Sequence, residues 1–282
     1  MLLFEDYPWV IDFFIIYLGF VLGSFATALA YRLPRQRDYI LEEIGEEKKF
    51  YNQSFWQGLT TRSRCPYCET PLGWKDLIPV ISYIVSAGAC RHCAKPISIR
   101  YPITEVVTAL LMWLIYFNLG FSFLGLSLMI LLPFMMASSL IDLEFLILPD
   151  DFTILLGVFG FANLVHQQFF SGFVLDPVHG FLMTLLCSVV YGGIGWALQF
   201  GFEKITGKEG LGWGDIKIFA VAGLWLGWFM MPIFLLLSSV IGLVVGLTWR
   251  HFQKSALFPF GPALILALYV MLIYNTFFER LL

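Results

Sequence analysis

Charged residues are scarce in this chain of 282 residues. Asp, Glu, Lys and Arg together make up 13% of it, about half the share found in water-soluble domains. Hydrophobic residues reach 59%, 29 of them Phe. A soluble core of this size cannot enclose so much apolar surface, whereas lipid accepts it. The composition excludes a single soluble domain and predicts an all-α, polytopic membrane protein that is surrounded by lipid. We expect no nucleic-acid partner.

Several familiar catalytic motifs are absent from the sequence. There is no H-E-x-x-H zinc site and no G-x-S-x-G nucleophile elbow. A cleavable signal peptide is not expected, because the first apolar run follows Glu5 and Asp6 rather than a basic stretch and is too long. We also expect no long linker and no internal repeat.

The apolar runs predict about eight spanning helices, since a span needs about 20 mainly apolar residues. A tight break at Met231–Pro232 separates the sixth run from the seventh. The chain then divides into a first helix (1–30), a cytoplasmic domain (31–102) that opens with a charged surface helix over 38–49, and a transmembrane core (103–282). The eight runs are 11–30, 103–119, 122–141, 152–170, 179–200, 215–230, 232–249 and 261–278.

The basic residues test this count of spans. With eight spans, only Arg280 of the 17 Lys and Arg falls on the outer side; the others lie in, or at the edge of, loops on one face. Basic loops stay cytoplasmic. We therefore predict a protein of the bacterial inner membrane with both termini periplasmic.

Four of the five cysteines form two C-x-x-C pairs, Cys65 with Cys68 and Cys90 with Cys93. The spacing is typical of a tetrahedral four-cysteine zinc site, which would be structural because it leaves no position open for water. Two alternatives are a dithiol redox motif and metal-free thiols. Cys187 lies alone in an apolar run and is interpreted as a buried hydrophobic residue.

Carboxylates near the ends of spans are the candidates for catalysis, because ionisable groups there are costly and often functional. Asp215 follows glycines at 210, 212 and 214, and Asp142 ends a span on the same face. Two such carboxylates can act as acid and base on a water that attacks a peptide bond. The residues alone leave Asp150 and Asp151 as competitors of Asp142, and leave helix capping as the alternative role for Asp215.

Together these motifs resemble the type IV prepilin peptidases, also called leader peptidase/N-methyltransferases, over nearly the whole chain. Two positions depart from the family pattern: Ala26-Thr27 replaces an Asn that the family often carries, and Ala87-Gly88-Ala89 replaces Gly-Gly-Lys. The matching motifs, in order, are Gly23-Ser24-Phe25, Tyr31-Arg-Leu-Pro34, Arg64-Cys65-Pro66, Ile78-Pro79-Val80, Arg100-Tyr101-Pro102 with Glu105, Ile141-Asp142, Leu148-Pro149-Asp150, Gly212-x-Gly214-Asp215-x-Lys217 and Pro259-Phe260-Gly261-Pro262.

The resemblance implies that Asp142 and Asp215 are the catalytic pair of an aspartic endopeptidase. It implies cleavage of prepilins or pseudopilins after a glycine of their basic leader, at the cytoplasmic face. The new N-terminal residue, usually Phe, would then be methylated with S-adenosylmethionine, for which Gly88 and Glu105 are the candidates.

Three alternatives to this interpretation remain. The first is a peptidase without methyl transfer. The second is a transporter that uses the two aspartates as a cation or proton relay, for which repeated halves and broken midplane helices would be expected. The third is a membrane scaffold held together by zinc.

Overall fold

The computed structural model describes residues 8–34, 63–170, 176–207, 210–253 and 258–274. The expected surface helix over 38–49 lies outside these residues. Nine α-helices fill most of the described chain, and its only β-pairing is two isolated bridges. The all-α prediction is therefore confirmed. The helices are α1 (Pro8–Arg32), α2 (Ile81–Val85), α3 (Arg100–Leu119), α4 (Phe123–Phe145), α5 (Asp150–Val165), α6 (Pro177–Thr206), α7 (Trp213–Leu226), α8 (Met231–Gln253) and α9 (Gly261–Ile273).

Every predicted span overlaps a helix, but α7 ends earlier than predicted, and residues 275–278 of the last run lie outside the described residues. Six helices of the described chain are long and apolar enough to cross a membrane, α5 being extended by a π-helical turn over His166–Phe170. Helix α7 has 14 residues and α9 has 13. The break between the sixth and seventh runs begins at Gly227 instead of Met231, because Gly227 adopts φ 67° and its N–H caps the Gly223 carbonyl.

The chain divides into two compact units. The first contains Met1–Gly120 and Leu128–Ala137, and the second contains Phe121–Ser127 and Ser138–Leu282. In the first unit, α1 packs closely on α3 because Gly19 and Gly23 carry no side chain. A Cβ at Gly19 would lie 2.5 Å from the Ala109 Cα, and one at Gly23 would lie 2.7 Å from the Glu105 Cα. Small residues allow such contact between membrane helices.

In the second unit, α7 packs against α6 and α5. Gly223 lies against the backbone of Ser188, whose hydroxyl donates to the Ala220 carbonyl at 2.6 Å. On the side facing α5, the Trp225 indole N–H donates to the Leu156 carbonyl at 3.1 Å. These contacts fix the position of α7, the helix that begins two residues before Asp215.

Replacing Gly19 by Ala should destabilise the protein, because the added methyl would meet backbone that cannot move aside. We expect a loss of about 1–3 kcal/mol and a lower Tm in detergent. Gly193→Ala in α6 is the control, since a Cβ there meets nothing within 4 Å. Equal Tm values for the two variants would contradict the close packing of α1 on α3.

Candidate active site and metal centre

The two cysteine pairs form two matching turns in the first unit. In each turn the first cysteine accepts a backbone hydrogen bond from the residue after the second cysteine, at 2.9 Å from Glu69 and 2.9 Å from Ala94. Both of these residues have φ 55°. A β-bridge closes each turn, Arg64 with Pro71 and Ala89 with Pro96. The two turns also share the pattern C-x-x-C-x-x-P, which begins at Cys65 and again at Cys90.

The four thiols converge on one point. Cys65 Sγ lies 3.8 Å from Cys93 Sγ, Cys68 Sγ lies 4.0 Å from Cys90 Sγ, and all four sulfurs lie within 4.8 Å of one another. A tetrahedral zinc site with Zn–S bonds of about 2.3 Å separates neighbouring sulfurs by about 3.8 Å. The cluster therefore fits a Zn²⁺ ion bound by four cysteines.

The electrostatics of the thiols also suit a cation. Hydrogen bonds with the side chain and backbone of Thr70 lower the pKa of Cys68 to about 6. The Lys95 backbone N–H lowers the pKa of Cys93, but burial and the three neighbouring thiols outweigh it and raise this pKa to about 11. Four thiolates this close repel one another, and a bound divalent cation removes that repulsion.

Asp142 lies in the last turn of α4, in the second unit, with only 4% of its surface exposed. The Gly261 N–H at the start of α9 donates to Asp142 Oδ2 at 2.9 Å. A Cβ at Gly261 would lie 2.8 Å from that oxygen and 2.6 Å from Leu148 Cδ2. Only glycine at 261 leaves room for the carboxylate against this backbone.

Asp215 lies in the first turn of α7 and is 8% exposed. The Gly212 N–H donates to its Oδ2 at 3.1 Å, so Asp215 does cap its own helix, which was the alternative role. A Cβ at Gly214 would lie 2.8 Å from Leu148 Cβ. Leu148 thus touches both Gly214, next to Asp215, and Gly261, which binds Asp142.

The two carboxylates are near enough to repel one another electrostatically. Each uses Oδ2 for its glycine N–H, and the described residues donate no hydrogen bond to either Oδ1. Neither Oδ1 is fully buried. One oxygen of each acid therefore keeps access to solvent and is free to bind water or substrate.

The competing carboxylates occupy a different environment. Asp150 and Asp151 lie in the first turn of α5, where acidic residues favour the helix dipole. Asp150 Oδ1 accepts from Lys217 Nζ at 2.6 Å, and about half of each side chain is exposed. Lys217 thus pairs with Asp150, a contact that the sequence did not reveal.

Glu105 and Gly88 lie in the first unit and both hold α2. Glu105 Oε2 accepts the backbone N–H of Val80, which precedes α2, at 2.7 Å. Gly88 follows α2 with φ 67°, donates its N–H to the Tyr83 carbonyl at 2.9 Å, and has the Tyr83 hydroxyl 3.0 Å from where a Cβ would be. In the described residues both positions are placed to fix α2, and their part in binding a methyl donor stays a prediction.

Two family models match the chain: the bacterial peptidase A24 N-terminal domain over residues 17–119 and the type IV leader peptidase family over residues 129–247. The fold and these matches define a multi-pass inner-membrane peptidase. More particularly, the chain belongs to the type IV leader peptidase family, because its relatives exceed 30% identity over nearly its whole length. The resemblance stated from the motifs is confirmed.

Several relatives carry the name prepilin leader peptidase/N-methyltransferase, among them the following three. That of Aeromonas hydrophila is 31% identical and aligns over 97% of this chain and 94% of its own. That of Pectobacterium carotovorum subsp. carotovorum is 34% identical, over 92% of both chains. That of Pseudomonas aeruginosa is 32% identical, over 92% of this chain and 89% of its own. No solved structure matches the chain.

Purified protein should carry about one zinc per chain, which Cys65→Ser or Cys90→Ser should remove because three thiolates no longer close the tetrahedron. Metal analysis after detergent purification measures this. Cys187→Ser is the matched control, since Cys187 lies in the second unit and outside the cluster. Zinc retained in the Cys65 and Cys90 variants would contradict the site.

Proposed function

We propose that the protein is an intramembrane aspartic endopeptidase that removes the leader of type IV prepilins and pseudopilins and then N-methylates the new N-terminus. The observation that carries the proposal is the pair Asp142 and Asp215: two buried acids, each held through one oxygen by a glycine N–H, with the other oxygen accessible. The names of the relatives supply the substrate class.

The proposed hydrolysis uses one aspartate as base and the other as acid. The ionised carboxylate takes a proton from a water whose oxygen attacks the scissile carbonyl carbon. The protonated partner donates to the carbonyl oxygen, and the C–N bond then breaks as the leaving nitrogen receives a proton. Paired carboxylates suit this chemistry because two like charges in one site favour holding a single proton between them.

The glycine contacts would orient both acids for this step. The Gly261 and Gly212 N–H groups would restrict the rotation of the two carboxylates and leave each Oδ1 free for water. A hydrogen bond from a backbone amide also stabilises a carboxylate that has lost most of its hydration. Leu148, in contact with Gly214 and Gly261, would restrict the water that enters.

The cleavage would take place at the cytoplasmic face, after a glycine of the basic leader. The support is the distribution of charge, which leaves Arg280 alone on the outer side. A precursor with an apolar helix could lie against the spans while its leader stays in the cytoplasm beside both aspartates. Both chain termini would then be periplasmic.

We further propose that the four-cysteine module, the two turns that carry Cys65, Cys68, Cys90 and Cys93, holds a structural Zn²⁺. Gly88 and Glu105 would act in methyl transfer by positioning α2. S-adenosylmethionine would supply the methyl group. Because both residues contact α2 or its flanks, their role is to hold this helix rather than to touch the reacting atoms.

Asp142→Asn and Asp215→Asn should each abolish cleavage, because an amide can neither take up nor release the proton. We expect rate losses on the order of 10²–10⁴ or more, measured on a synthetic precursor with detergent-solubilised enzyme. Asp150→Asn is the control. It removes a half-exposed acid that the sequence alone could not distinguish from Asp142 as a catalytic candidate, and processing should continue. Normal cleavage by either of the first two variants would reject the proposed pair.

Glu105→Gln should reduce methylation while cleavage persists, because it weakens the hydrogen bond to Val80 without touching either aspartate. Mass spectrometry of the product, with and without S-adenosylmethionine, separates the two steps through the mass of one added CH₂ group. Unchanged zinc content would show that the module still folds. Equal loss of both activities, or of neither, would contradict separate roles for Glu105 and the aspartates.

A further inference from the structure

The short helix α2 presents an apolar face that nothing in the described part of its unit covers. Ile81, Ile84 and Val85 are 58%, 69% and 69% exposed. Positions three and four apart share one face of a helix, so these side chains form a single surface. The residues between them, Ser82 and Tyr83, are less exposed. A folded module that stood free in water would leave this surface unfavourably hydrated.

The depth of α2 follows from its contact with a membrane-spanning helix. The Val80 N–H, directly before α2, donates to Glu105 in the second turn of α3. Glu105 lies five residues after Arg100, the first residue of α3, which corresponds to about 7.5 Å along the helix axis. The start of α2 is therefore level with the second turn of α3, close to residue 103, where the predicted span begins.

The backbone at Val80 is bent to reach this place. Val80 has φ 60° and ψ −49°, a conformation that is strained for a β-branched residue. The hydrogen bond to Glu105 offsets part of that strain. Because Glu105 is itself only 6% exposed and packs where α1 meets α3, the start of α2 is tied firmly to the spanning helices.

The neighbouring side chains have the chemistry of a membrane interface. Trp74, on the 3₁₀ turn before α2, is 73% exposed, and the Lys75 ammonium lies 5.4 Å from the centre of its ring. Trp is enriched where headgroups meet acyl chains, and Lys is attracted to anionic lipid. On α3 itself Ile103 and Val106 are exposed, so the apolar face of α2 lies at the depth where a lipid-facing surface begins.

We propose that α2 is an interfacial membrane helix. Ile81, Ile84 and Val85 enter the bilayer leaflet at the Arg100 end of α3, and Trp74 with Lys75 lies at the level of the anionic headgroups. This contact holds the four-cysteine module against the membrane surface. Residues 35–62, another possible cover, are less suited because four glutamates fall between positions 42 and 47. The inference depends on neither the catalytic pair nor the orientation of the chain.

Photo-crosslinking tests the contact in the full-length protein. A benzophenone amino acid replaces Ile84, the protein is placed in nanodiscs of phosphatidylethanolamine and phosphatidylglycerol, and adducts are identified by mass spectrometry after illumination. Val106 on α3 is the lipid-facing comparison. His92, an exposed polar residue of the second cysteine turn, is the comparison for a position that faces water. Zinc content equal to that of the unmodified protein shows that each variant keeps its module.

The expected result is a phospholipid adduct at 84, comparable in yield to that at 106 and at least several-fold above that at 92. Three outcomes would overturn the proposal. The first is no lipid adduct at 84 while 106 forms one. The second is an adduct at 84 with a peptide from residues 35–62 or with an added precursor. The third is equal lipid yield at 84 and 92, which would indicate unspecific collisions.

Discussion

A buried carboxylate at a membrane boundary must be held by hydrogen bonds, and in this protein glycine backbone supplies them. Gly261 binds Asp142 and Gly212 binds Asp215, in each case through a single oxygen. At 261 a side chain would collide with the carboxylate itself, and at 214 it would collide with Leu148. The end of α4 and the starts of α7 and α9 are thus brought together within one unit around two acids.

This constraint gives a reason for the irregular backbone beside the aspartates. Backbone that leaves helical geometry at membrane depth is tolerated only against protein or a wet cavity. Gly210 and Gly212 precede α7, Gly214 is its second residue, and Leu146 turns the chain after α4 with φ 59°. Such turns let two helix ends present acids to water without exposing them to lipid.

The sequence predicts the helices well because spans are set by length and hydropathy, two local properties. It predicts the four thiols equally well, since their spacing encodes the two turns. It missed contacts between distant segments, such as Gly261 with Asp142 and Lys217 with Asp150, which no periodicity reveals. Pro71 and Pro96, at matching places after each pair, extend the likeness of the two turns. Helix α7 ends before its apolar run does because Gly227 adopts a left-handed φ, and residues 275–278 of the last run lie outside the described residues.

The account depends on Asp142 and Asp215 acting together on one water. A double-mutant cycle tests this directly. The residual cleavage rates of Asp142→Asn, Asp215→Asn and the double variant are compared under single-turnover conditions with long incubation. Residues that work as a unit give strongly non-additive effects. The account predicts that the double variant is no slower than either single variant. If the rate loss of the double variant equalled the product of the two single losses, the two acids would contribute independently. That result would contradict a shared water.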